Sequence, residues 1–191
     1  MASPLDPYLP TPDVREQVAI EVDASAAVVM EVARNFDMQS VPMVRLIFAL
    51  RDRIMGTTHP RRPERGLVAE TTALGWGVLA EVPDRRYVAG ARCRPWEADV
   101  IFTSIPPADF AGWNEPGWVK IAWTLETIPL TPGRTLLISE TRATATDETA
   151  RRRFRRYWRW ARFGIIAIRW LLLPAIRRRA EAAGPATPRE A

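Results

Sequence analysis

"RRRFRRYWRWARFGIIAIRW", residues 151–170, holds eight Arg and nine large apolar or aromatic side chains in twenty positions. Such a stretch suits a nucleic-acid arm, a membrane anchor or the core helix of an ordinary domain. A helical period separates its two residue classes. Phe154, Tyr157, Trp158, Ala161, Ile165, Ile168, Leu172 and Ile176 fall within about 60° of one line on a helical wheel. Arg152, Arg155, Arg156, Arg159 and Arg162 fall off that line, Arg162 near its edge. The first half therefore reads as an amphipathic helix with a solvated Arg back. Asp147 and Glu148 suit its positive N-terminal end, and Arg177 to Arg179 its negative C-terminal end. Phe163, Ile166, Trp170 and Leu173 lie on the back face, where the Arg residues should continue. Their cover is expected from the helices of residues 24–55, from a second subunit in a homodimer, or from a membrane surface. Pro174 predicts a kink or an end.

The charge is uneven. Residues 151–181 hold eleven Arg and one Glu, about +10, in a chain of net charge +5, which leaves the body near −5. That acidic body opposes a polyanion, and Phe154, Tyr157 and Trp158 on the core face are not free to stack on bases. No nucleic-acid partner is expected. Cys93 is the single cysteine and His59 the single histidine, so no disulfide, His-based triad or zinc set is predicted. No metal and no cofactor is expected. "MASPLDPYLPTPD" lacks the basic start and apolar centre of a signal peptide. The longest apolar run, 163–176, contains Arg169 and Pro174 and falls short of the ~20 residues that span a bilayer. A cytoplasmic location is the expectation.

The first thirteen residues hold four Pro and are expected to form a loose arm. "REQVAIEVD" (15–23) alternates Val18, Ile20 and Val22 against Gln17, Ala19 and Glu21, the period of a half-buried strand. Two helices follow: one after Asp23, and one over 40–56 with Ser40 as N-cap. Then come "GLVAETT", "GWGVLAEV", "RYVAGARC", "ADVIFTSI", "WVKIAWTLETI" and "RTLLISETRATAT", all read as strands, with tight hairpins at "PDRR" and "PLTPG". "GWG" (75–77) reads as a bend at a strand start, not a phosphate loop. This predicts an α+β fold of about seven antiparallel strands in a curved sheet. It wraps around a long C-terminal helix, with two short helices after the first strand. One apolar sheet face needs a cover, and only the last helix is large enough.

"LGWGVLAEVP" (74–83), "PW" (95–96), "EPGWVKIAWTL" (115–125), "ETRATATD" (140–147) and "RRRFRRYW" (151–158) occur in an order that resembles the helix-grip superfamily of START, Bet v 1 and polyketide cyclase/dehydrase-like proteins (SRPBCC). The similarity is to a bacterial branch defined by sequence rather than by activity. It covers roughly residues 15–182 and implies one helix-grip domain over 14–183, an N-terminal arm over 1–13 and a disordered tail over 184–191. It also implies a hydrophobic small molecule, lipid- or polyketide-like, held between the sheet and the last helix. Trp76, Trp96 and Trp123, with Lys120, Phe154, Trp158 and Ile165, are the candidate ligand contacts; Trp113 and Trp118 also lie in this region. The bland alternative for the Trp residues is sheet packing.

The enzymatic alternative is cyclase/dehydrase chemistry by a buried carboxylate with Tyr and Arg. Its candidates are Glu140, Arg142, Glu81 and Tyr157, with Glu70 a similar case. Glu140 and Arg142 lie two apart on a strand and share a face, either solvated or turned into the cavity. A third reading is a membrane-peripheral protein that uses the Arg/Trp-rich helix.

Overall fold

The computed structural model describes residues 2–56 and 66–184. His59 and residues 185–191 of the expected tail lie outside them. The strands are β1 (Val14–Val22), β2 (Gly77–Val82), β3 (Arg86–Cys93), β4 (Val119–Thr131) and β5 (Arg134–Ala145). The helices are α1 (Ala26–Arg34), α2 (Pro42–Met55), α3 (Leu67–Ala73), α4 (Pro107–Phe110) and α5 (Glu148–Ala182), with a 3-10 turn over Met38–Ser40. One antiparallel sheet has the order β1-β5-β4-β3-β2.

The strands number five, not about seven. "GLVAETT" is mostly α3: Thr71 and Thr72 turn their hydroxyls back onto the carbonyls of Leu67 and Val68. This back-bonding satisfies the β-branched polar residues inside a helix. "ADVIFTSI" makes a single bridge, Thr103 to Arg92, with N–O distances of 2.8 and 3.0 Å. β2 already holds that edge of β3 from Arg86 to Gly90, so the segment meets β3 only beyond it, at Arg92. The "GWG" bend sits there. A side chain on Gly75 would strike the Phe102 carbonyl at 2.2 Å, and Trp76 stacks on Phe102 at 5.1 Å.

Side chains alternate across a strand, so the sheet register sorts them into two faces. On one face lie Val18, Ile20 and Val22 of β1, Tyr87 and Ala89 of β3, Trp123 and Leu125 of β4 and Leu137 of β5. They pack with α1, Val44 of α2, and Leu172, Leu173, Ile176 and Ala180 of α5. Val119, Ala143 and Ala145 extend this face and meet Ala150 and Phe154 at the start of α5. The expected core line of α5 is thus buried or half-buried, and Arg152, Arg155, Arg156, Arg159 and Arg162 are exposed. Leu173, expected on the uncovered back, is buried instead. α5 also runs through Pro174 to Ala182 instead of ending there. Buried Leu172, Leu173, Ile176 and Ala180 hold the chain on both sides of that residue.

The other face is covered too. Leu5 and Leu9 are buried with Leu79, Val88, Ile105, Phe110 and Ala122. The segment expected to be a loose arm is therefore docked. Leu5 and Leu9 sit one helical turn apart, closed by the Leu9 N–H to Leu5 carbonyl bond of 2.8 Å, and both point into the sheet. Tyr8 donates to the Leu79 carbonyl at 3.0 Å. Pro7, between these anchors, has a ring that fixes φ near about −65°, a value that a helical turn accommodates.

Candidate functional site

Glu140, Arg142 and Lys120 share one face of the sheet, and it is the face opposite α5. All three are buried. Arg142 donates from Nε to Glu140 Oε1 at 2.7 Å, from Nη1 to the Leu9 carbonyl at 2.8 Å, and pairs through Nη2 with Asp6 Oδ1 at 2.8 Å. Ser3 Oγ donates to Glu140 Oε2 at 2.6 Å, and Arg15 Nε pairs with Oε1 at 2.7 Å. Every ligand of this cluster comes from β5, β1 or residues 3–9, so it clamps the N-terminal segment to the sheet. Lys120 Nζ donates to the carbonyls of Phe110 and Ala111 at 3.0 and 2.8 Å, which caps α4. Burial lowers its pKa. Lys120 lies on the face opposite α5, apart from the apolar candidates. Trp113 and Trp118 close the same side, with Arg92 at 4.9 and 4.8 Å and Arg94 at 4.2 Å from Trp118, in cation–π contacts.

The remaining candidates do not join that cluster. Glu81 is exposed on β2 and pairs with Arg34. Glu70 is buried on α3. Tyr157 is half-buried on α5 with its ring 5.0 Å from Trp160. Burial pushes the Cys93 thiol up to about 12, so it is an inert core group.

The apolar candidates do meet between α5 and the sheet. Trp96, Phe154, Tyr157 and Trp158 gather at one end with Val119, Ala143 and Ala145. Trp76 and Trp123 lie in the larger cluster, which also touches Ile168 and Leu171. The middle is less tightly closed: Ile121 and Thr141 on the central strands, and Ile165 and Ile168 on the inward arc of α5, are only half-buried.

A polar row crosses the sheet at this level. The register aligns Ala89, Trp123 and Thr141, and Val14↔Ala143 places Glu16 opposite Thr141 on the same face. Ser139, buried, is the next inward-facing residue of β5. Above the row sits Arg169, four residues after Ile165 and three before Leu172, on the inward arc of α5. Burial holds its pKa below the ordinary guanidinium value, opposed by the charge of Glu16. Its Nη1 and the Nε1 of Trp123 are buried without a hydrogen-bond partner among the described residues. A guanidinium nitrogen buried without an acceptor is costly, and an anionic group would supply one.

A concavity of about 410 Å³ lies between the start of α2 and the C-terminal part of α5. Phe36, Val41, Pro42 and Ala175 form its apolar walls, and Ser40, Arg178 and Arg179 complete it.

No family model matches the chain, and no curated protein matches it. Among solved structures the chain is similar to a conserved protein from Geobacillus kaustophilus at 11% identity, covering 89% of this chain and 97% of that one with a TM-score of 0.38. A likeness of that size carries no weight for fold or function. The site stands on its own geometry.

Proposed function

We propose that this is a helix-grip protein that binds an amphipathic small molecule between the sheet and α5, its anionic head on Arg169 and its apolar body among Ile121, Ile165 and Ile168. The reading is carried by one observation: Arg169 Nη1 is buried on the inward arc of α5 with no hydrogen-bond partner among the described residues. A carboxylate or phosphate would supply the missing acceptor, and Trp123 Nε1 and the Thr141 hydroxyl offer further donors. The half-buried aliphatic side chains around them suit an acyl or polyketide-like chain.

The test is native mass spectrometry of protein from its source organism, followed by displacement of a fluorescent fatty acid. The expected result is a retained anionic amphiphile and an Arg169→Met variant that binds the probe about tenfold more weakly or worse. The same variant removes a buried nitrogen that lacks an acceptor, so ligand-free protein should gain about 1 kcal/mol of stability in urea unfolding. A ligand-free native protein whose Arg169→Met variant binds the probe as wild type does would overturn the reading.

A further inference from the structure

Of the four residues expected to need a cover, Leu173 is buried and Ile166 half-buried, while Phe163 and Trp170 remain 64% and 66% exposed, and α2 adds to them. α2 lies along α5 in the opposite direction. Its Pro42 end meets Ala175 and Arg178, while Ile47 lies so close to Gly164 that an added methyl would sit 3.2 Å away. Val44 faces the core. Next to the Ile47 line runs a second apolar stripe, Met43, Leu46, Leu50 and Ile54, each more than half exposed. Two neighbouring helices therefore each turn large apolar side chains outward, Met43, Leu46, Leu50 and Ile54 on α2 and Phe163 and Trp170 on α5.

Cations surround these side chains. Arg45 and Arg53 of α2 and Arg155, Arg156, Arg159 and Arg162 of α5 are exposed. Arg162 lies over the exposed Phe163 ring at 4.8 Å. The 410 Å³ concavity with Arg178 and Arg179 lies at one end of the same helix pair.

We infer that the α2–α5 seam docks this protein on an anionic phospholipid surface. Its apolar stripe would enter the acyl boundary while the guanidinium groups bind headgroup phosphates. Long Arg side chains reach from an apolar surface to a polar one, and interfacial helices combine these two residue classes. Charge selects this occupant over the others. In a two-fold dimer the same patch meets itself, so the Arg clusters would be driven together. Nucleic acid offers phosphates but nothing to receive the aliphatic stripe of α2. No helix among the described residues is long and apolar enough to cross a membrane, so the contact is with the surface.

The experiment is co-sedimentation of the full chain with vesicles of phosphatidylcholine alone or mixed with phosphatidylglycerol, at low and high salt. The expected result is binding to the mixed vesicles that salt weakens. Leu50→Ser combined with Trp170→Ser should reduce it about tenfold. Each of Arg156→Gln and Arg159→Gln should reduce it about fivefold. All four positions are exposed, so thermal unfolding should confirm that the variants stay folded. Arg169→Met should bind vesicles as wild type does, which separates this surface from the interior site. Failure to bind mixed vesicles, or equal binding by the seam variants, would overturn the inference. So would a dimer in sedimentation equilibrium that Trp170→Ser dissociates, since a second copy would then occupy the seam.

Discussion

At the scale of single residues, the chain places opposite kinds of buried Arg on the two faces of its sheet. Arg142 is saturated: Glu140, Asp6 and the Leu9 carbonyl take its donors. Arg169 is not. Truncating the saturated one should be severe, because Glu140 stays buried with part of its charge uncompensated. Arg142→Met is expected to cost about 3 kcal/mol in urea unfolding. Adding Glu140→Gln should cost less than the two single changes combined, because the two side chains share one network. Additive losses would show that the clamp is not a coupled unit.

The same two residues show what the sequence disclosed of the site. Glu140 and Arg142 drew attention because charges two apart on a strand share a face, but parity alone does not say which face, nor that residues 3–9 lie over it. Arg169 carried a signal that the helical wheel did not use: it is the lone charge inside the longest apolar run. Glu16 carried another, since Val14, Val18, Ile20 and Val22 share its parity and its strand face. A charged residue on an otherwise apolar face marks a position where burial and charge conflict, and such conflicts collect at functional sites.

At the scale of elements, α5 was the most legible part of the chain because its period, its cap and its charge gradient agree. Asp147 accepts from the backbone N–H groups of Thr149 and Ala150 at 2.7 and 2.9 Å, and also from Gly117. The bonds from Ala150 and Gly117, foremost among its contacts, lower its pKa. The sign follows from linkage. A carboxyl with a depressed folded pKa stabilises fully above its unfolded value of about 4, and that contribution disappears as pH falls through the folded value. Asp147→Asn should therefore unfold at a lower temperature than wild type at neutral pH, with the gap closing in acid. A gap that persists in strong acid would assign the loss to packing. Elements with conflicting signals were misread. Val68, Thr71 and Thr72 carry strand propensity, yet α3 starts after Gly66 at φ 79° and the two Thr hydroxyls are satisfied within it by bonds to the carbonyls one turn back. In residues 3–9 proline signalled a loop correctly, but the pairing of Leu5 with Leu9 mattered more.

At the scale of the whole molecule, one consequence concerns time. β1 pairs with β5, so Val14 finds Ala143 only after the intervening chain has been made. The Arg142 clamp on residues 3–9 has the same dependence. Local hairpins β2–β3 and β4–β5 can form early, but closing the sheet requires a long loop to shut, which slows folding. During synthesis at about 5–20 residues per second, β1 would wait on the order of ten seconds with Val18, Ile20 and Val22 uncovered. Ribosome-bound chains stopped before residue 134 should thus be cut by protease within residues 3–22, and chains released after α5 should resist. Protection of the shorter chains would mean that the N-terminal segment has another early partner. Among the described residues, those made first are secured last, so translation itself opens an interval in which a chaperone, or a neighbouring nascent chain, has access to an unpaired strand.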